Sequence, residues 1–182
     1  MSLILQGSTS GSVTLQEPAV AGTTVLTLPA VTGTILTTTS PKAGNVIQVV
    51  SATTTTTVSV SNSTFVDTTL TATITPTSAT SKILVLVSQN GMRKLAGQAL
   101  DDIGIKLFRD STLIAQPAVF TAFTGTSLAF YGLSCSLSYL DSPATTSATT
   151  YKTQIANPDG SGAVSTQGNN ENSTITLMEI AV

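Results

Sequence analysis

Ser81-Lys82-Ile83-Leu84-Val85-Leu86-Val87-Ser88 is the least interrupted apolar run in the chain. It is too short to cross a bilayer and too rich in β-branched residues for a helix, so it reads as a β-strand. Successive side chains of a strand point to opposite faces, so Ile83, Val85 and Val87 serve one face and Leu84 and Leu86 the other. A strand apolar on both faces is central in a sandwich or sits where one sandwich meets another copy. The expectation is both, in a self-associating β-sandwich.

The chain has 182 residues, room for one ordinary domain and a smaller appendage. Charged residues make up 9%, against roughly 25% in most globular domains, and apolar residues 41%. Thr and Ser, uncharged and compatible with strands, fill the gap. The net charge is −2 and the seven Lys and Arg are scattered, which argues against nucleic acid. A surface so poor in charge is a solubility risk for a free monomer and suits an assembly. Met1 to Gln6 carries no basic region and too short an apolar run for a signal peptide. No run reaches membrane-spanning length, so the expectation is synthesis in a cytoplasm without membrane insertion.

The N-terminal part repeats itself. Val13-Thr14-Leu15-Gln16-Glu17-Pro18-Ala19-Val20-Ala21-Gly22-Thr23 is followed by Leu26-Thr27-Leu28-Pro29-Ala30-Val31-Thr32-Gly33-Thr34-Ile35-Leu36. Each copy reads as a short strand, a Pro-Ala-Val turn and a restarting Gly. Two such units are too thin for a core and gain stability by stacking or by winding with identical chains. The expected division is a β segment over 1–40, a linker over 41–45 with Pro41 and Gly44, and a domain over 46–182.

That domain reads as about eight antiparallel strands with no helix, a jelly roll or related sandwich. Leu70, Ala72 and Ile74 alternate with threonines up to Pro76. Ile103 to Phe108 and Thr112 to Ala115 flank a tight turn at Arg109-Asp110-Ser111. Leu128 to Leu140 is a long strand, and Met92 to Leu100, broken by Gly97, reads as loop. Cys135 alternates with serines on the apolar face of its strand, where Cys behaves as a small hydrophobe. Glu179, set among apolar residues in the last strand, calls for a partner, with Arg93 and Arg109 as the candidates.

Most catalytic chemistry lacks its residues. The chain has no His, so no His-based triad and no His metal site. No phosphate-binding glycine motif occurs. Asp101-Asp102 is the only acidic pair, and neighbours on a strand face opposite ways, which is poor geometry for glycoside hydrolysis. Asn157-Pro158-Asp159-Gly160 resembles a calcium loop loosely and reads by default as a Pro-Asp-Gly turn. The expectation is a protein that is not an enzyme and carries no cofactor and no metal.

Gly7-Ser8-Thr9-Ser10-Gly11-Ser12-Val13-Thr14-Leu15, with the Pro-Ala-Val and Gly-Thr echoes, resembles the N-terminal segment of tail-fibre proteins of tailed bacteriophages, especially cyanophages and other marine phages. The second half is similar to a C-terminal domain of such fibres. The likeness runs through Ile74-Thr75-Pro76-Thr77-Ser78 and Lys82-Ile83-Leu84-Val85 to Leu107-Phe108-Arg109-Asp110-Ser111-Thr112-Leu113-Ile114. It continues in Tyr139-Leu140-Asp141-Ser142-Pro143 and Ile175-Thr176-Leu177-Met178-Glu179-Ile180. The resemblance implies a homotrimeric virion protein, assembled in the host cytoplasm. Its N-terminal segment, with Leu3, Leu5, Val13 and Leu15, would attach to other tail or baseplate proteins. Its C-terminal sandwich would face host surface polysaccharide. A short head fibre or a purely structural capsid decoration protein shares the same parts, and an enzyme that depolymerises capsule is a third reading.

Strand parity locates the binding end. In a jelly roll successive strands run oppositely, so the connections near Asn62, from Gln89 to Asp101, at Thr124-Gly125-Thr126 and from Asn157 to Ser173 share one end. Their candidate glycan-binding residues are Asn90, Arg93, Lys94, Gln98, Asp159, Gln167, Asn169, Asn170 and Glu171. Amides and charges with little hydrophobic bulk suit hydroxyl-rich sugars, and binding residues concentrate on loops.

Overall fold

A computed structural model describes residues 3–16, 19–20, 22–23, 30, 41–95, 99–160 and 162–182. The chain divides into two units, Met1–Ile35 and Leu36–Val182. In the first, β1 (Leu3–Gln6) and β2 (Ser12–Leu15) form an antiparallel hairpin whose register pairs Leu3 with Leu15 and Leu5 with Val13. Leu5 and Val13 are 52% and 60% exposed. The second copy of the expected repeat, from Leu26 to Leu36, and the end of the first lie largely outside the described residues.

The second unit is all-β and antiparallel. Its strands are β3 (Val46–Thr54), β4 (Val58–Val60), β5 (Val66–Ile74), β6 (Lys82–Lys94) and β7 (Ile103–Arg109). They are followed by β8 (Thr112–Thr121), β9 (Phe130–Asp141), β10 (Thr149–Ala156), β11 (Val164–Thr166) and β12 (Ser173–Ile180). One sheet has the order β5-β10-β7-β8. The other is built on β6, with β9 along one edge and, on the other edge, β12 then β11 in succession. β3 pairs outside β12, and β4 outside β11.

Ten strands are described here where the sequence reading expects about eight, because the first run is interrupted and an expected loop contains a short strand. β3 and β4 are separated by Thr55, Thr56 and Thr57, and β11 and β12 by a short 3-10 turn at Gly168–Asn170. β11 lies within the stretch expected to be one loop from Asn157 to Ser173. β6 also runs further than expected, to Lys94. It bends at Gly91, which has φ +62° and marks a register shift between Gln89 and Met92, and the inward pattern then resumes with Met92 and Lys94 buried. A bulge preserves the strand where local sequence reads as its end.

The inner faces of the two sheets share the core. Ile83, Val85 and Val87 of β6 pack with Leu70, Ala72 and Ile74 of β5, Leu107, Tyr151, Ile175 and Leu177. A second cluster holds Val60, Met92, Ile103, Ile105, Ile155 and Val164. Between them along the strands lies a polar belt. Thr153 Oγ1 donates to Gln89 Oε1 at 2.8 Å and meets Thr68 Oγ1 at 2.6 Å, while the Gln89 amide donates to Thr166 Oγ1. All four residues are buried, and their mutual bonding makes that burial tolerable. Cys135 packs partly buried against the second cluster, and burial pushes its thiol up.

The outer face of the β6 sheet is different. Register aligns Val49, Met178, Leu84 and Leu140 in one row across β3, β12, β6 and β9, with Ser51, Thr176, Leu86 and Ser138 as the next row. Val49 and Leu140 are 55% and 51% exposed, and neither row contains a charge.

Candidate functional site

One end of the second unit is where four connections meet. Asn157 N donates to Asn62 O at 3.0 Å and Leu95 N to Ala163 O at 2.9 Å. Lys94 Nζ donates to Thr124 Oγ1 at 2.9 Å and Thr126 O at 2.6 Å. Lys106 sits over the Phe65 ring, 3.8 Å from its centroid, a cation–π contact beside the same loops. At the opposite end the chain enters: Gly44 N donates to Ala181 O and Ala181 N to Asn45 O, both at 2.9 Å.

The expected binding residues separate into three groups. Asn90 and Arg93 lie on β6 rather than in a loop, beside the turn that carries Asn169, Asn170 and Glu171. Arg93 Nε donates to Ser165 Oγ at 2.9 Å and its Nη1 to Asn169 Oδ1 at 3.2 Å; Asn90 Nδ2 donates to Asn172 O at 2.6 Å. Asn169, Asn170 and Glu171 are exposed, as is Asp159 in the Asn157–Gly162 connection. Lys94 and Gln167, by contrast, are fully buried. Lys94 pins the Thr124–Thr126 loop, and the Gln167 amide lies 3.1 Å from Ser173 Oγ. Gln98 lies outside the described residues.

The 167–171 turn is held in an uncommon conformation. Gln167, Asn169 and Asn170 have φ of 54°, 58° and 59°, and Asn is among the residues that tolerate this left-handed region. Gly91 lies directly against it, since a Cβ there would come within 2.6 Å of Gly168 N. Only glycine suits both that φ and that contact.

A further feature of this end escaped the sequence reading. Phe123, Leu128, Phe130 and Tyr131 are 51%, 70%, 42% and 56% exposed around the Thr124–Thr126 loop. The available signal was their spacing, because three of the few aromatic residues in this chain fall between 123 and 131. Exposed rings beside amides and hydroxyls offer both stacking and hydrogen bonding to a ligand.

Two carboxylates elsewhere, Glu179 and Asp141, are committed to structure. Glu179 is buried without either arginine. Its Oε2 accepts from Gln48 Nε2 at 2.6 Å, and its Oε1 from the Thr77 N–H and hydroxyl, both at 2.8 Å. Burial opposes its ionisation, yet the hydrogen bonds from Gln48 and Thr77 hold the carboxyl below its ordinary value. Arg109 is occupied by Asp141, whose two oxygens each lie 2.9 Å from Nη1. Tyr151 Oη also donates to Asp141 at 2.7 Å, and burial followed by that bond pushes the phenol up. A cleft of about 430 Å³ opens beside this region, lined by Pro41, Ile47, Thr77, Ser81 and Ala181 among others. Among the described residues no three His, Cys, Asp or Glu side chains converge as a metal site. The chain matches no protein-family model and no curated protein.

Proposed function

We propose that this protein is a trimeric virion fibre component of the tailed-phage type, attached through its N-terminal hairpin and recognising host surface glycan with the loop end of its C-terminal unit. The reading of that unit as an eight-run jelly roll rests on sheet order. Counting β3/β4 and β11/β12 as single runs, the sheets read 1-8-3-6 and 2-7-4-5, each joining runs from the two halves of the chain.

The observation that carries the assembly is the uncharged row Val49–Met178–Leu84–Leu140 on the outer face of the β6 sheet. Four apolar side chains aligned across four strands cost free energy in water, and identical uncharged faces approach one another without repulsion. Threefold closure covers the face and shields the free edge of β9. The hairpin supports the attachment reading: two short strands are marginal alone, and exposed Leu5 and Val13 call for a partner surface. Asn169, Asn170 and Glu171 with the exposed Phe123, Phe130 and Tyr131 support the glycan reading.

Mass measurement of the purified protein at micromolar concentration tests the assembly; three chains are expected, and a stable monomer sinks it. Leu84→Glu is expected to give folded monomers. Host adsorption tests recognition: exchanging the Thr124–Thr126 loop and the 167–171 turn for Gly/Ser turns is expected to abolish it while the oligomer survives. Unimpaired adsorption together with weakened particles would instead favour a capsid decoration protein.

A further inference from the structure

Asp101 and Asp102 immediately precede β7, and the fold treats them unequally. Both are fully buried. Asp101 Oδ1 accepts from Asn157 Nδ2 at 2.9 Å and from Gly162 N at 2.7 Å. A Cβ on Gly160 or Gly162 would collide with that carboxylate, so both glycines lie directly against it. Asp101 is the keystone of this loop.

Asp102 has no comparable use. Its Oδ1 takes a long hydrogen bond from Asp159 N at 3.4 Å, and among the described residues its Oδ2 is buried with no hydrogen-bond partner. The charges acting on it are those of Asp159, Asp101 and Lys94. Lys94 directs its ammonium to Thr124 Oγ1 and Thr126 O. Three carboxylates and one ammonium leave two negative charges at the mouth of a loop. An ionised oxygen buried without a donor or a cation costs several kcal/mol. Proteins resolve such a cost with a proton or a bound ion.

We propose that Asp102 Oδ2 is a ligand of a calcium-class divalent cation seated between the start of β7 and the Asn157–Gly160 turn. A divalent ion cancels the residual charge and supplies the partner that Oδ2 lacks. The ligand chemistry selects the class: the chain has no His, and Cys135 lies in β9, so only oxygen donors are available. A loop-borne site with an exposed Asp159 adapts to the larger, less demanding Ca²⁺ more readily than to octahedral Mg²⁺. Since no three acidic side chains among the described residues lie close enough to share one ion, main-chain and amide oxygens must complete the shell. That places affinity in the weak range, about 10⁻⁴–10⁻³ M, found in extracellular modules. This site is independent of what the loop end recognises.

The test uses the full chain, stripped with EDTA and returned to buffer of fixed ionic strength. Thermal unfolding is followed as CaCl₂ is added from micromolar to 10 mM (about ten times the weak end of the expected range), with NaCl of equal ionic strength as control. The midpoint is expected to rise with Ca²⁺ and saturate, to rise less with Mg²⁺, and to lose the Ca²⁺ response in Asp102→Asn. Absence of any Ca²⁺ response in the wild-type chain overturns the proposal, leaving a protonated carboxyl as the resolution. A response that persists in Asp102→Asn overturns it too, since the ion then binds elsewhere. If Asp102→Asn does not fold, Asp159→Asn on the exposed loop is read instead: a weakened Ca²⁺ response supports the site and an unchanged one removes it.

Discussion

Gln89 of β6 and Thr153 of β10 reach across the interior from opposite sheets, Thr153 Oγ1 donating to Gln89 Oε1 at 2.8 Å. The same glutamine donates to Thr166 Oγ1, and the same threonine meets Thr68, so the two apolar clusters are separated by a bonded polar layer. Register along β6 places it there: Ile83, Val85 and Val87 lie on one side of Gln89 and Met92 on the other. A slip of β6 against β10 would bury one of these polar groups against hydrocarbon, so the layer selects a single alignment of the sheets.

Gln89→Leu should therefore destabilise the C-terminal unit although it adds apolar surface to the core. The threonine hydroxyls lose their shared partner, at about 1–3 kcal/mol. Adding Thr153→Val should recover part of that loss, because the two residues act as a pair. Urea unfolding of both single variants and the double variant checks this; strictly additive losses contradict the shared layer.

Stability should fall on acidification through Glu179. Its carboxyl is held below its ordinary value in the folded chain, so its contribution is present in full above the unfolded value near 4.5 and is lost as pH drops towards the lower folded value. Glu179→Gln should flatten the slope of melting temperature against pH between about 5 and 3, the span in which carboxylates titrate. An unchanged slope would assign acid sensitivity to other carboxylates.

Gly91→Ala should cost more than a surface substitution. The left-handed φ alone costs about 1–2 kcal/mol for a residue with a Cβ, and that Cβ also meets the Gly168 main chain. Faster amide exchange at Gln167, which donates to Asn90 O across the same bulge, should accompany the loss. Unaltered exchange there would uncouple the bulge from the turn.

A fragment beginning at Pro41 should fold, whereas one beginning at Val46 should be less stable. The stretch expected to be a plain linker bonds at Gly44 and Asn45 to Ala181, and the shorter fragment loses both bonds. At about 0.5–1.5 kcal/mol each, the difference is readable by denaturant titration. Equal midpoints would return 41–45 to a passive linker.

The sequence by itself determined the all-β class and the two faces of the central strand. The split of Ile83, Val85 and Val87 from Leu84 and Leu86 follows from a period of two, and the hairpin at Asp110-Ser111 from turn chemistry; both are local. Locality is also why the expected strand ends at Ser88, before Gly91, where a bulge needs a partner strand to continue pairing. The tertiary structure alone decided which polar residues turn inward. Arg93 and Lys94 are neighbours of similar charge, yet one flanks an exposed turn and the other is buried beneath a loop 30 residues away in sequence. Glu179 found Gln48 and Thr77 in place of an arginine, across separations of 131 and 102 residues. Burying a polar group is affordable only where donors or acceptors converge on it, and that convergence depends on how distant strands pair, which no window of sequence contains.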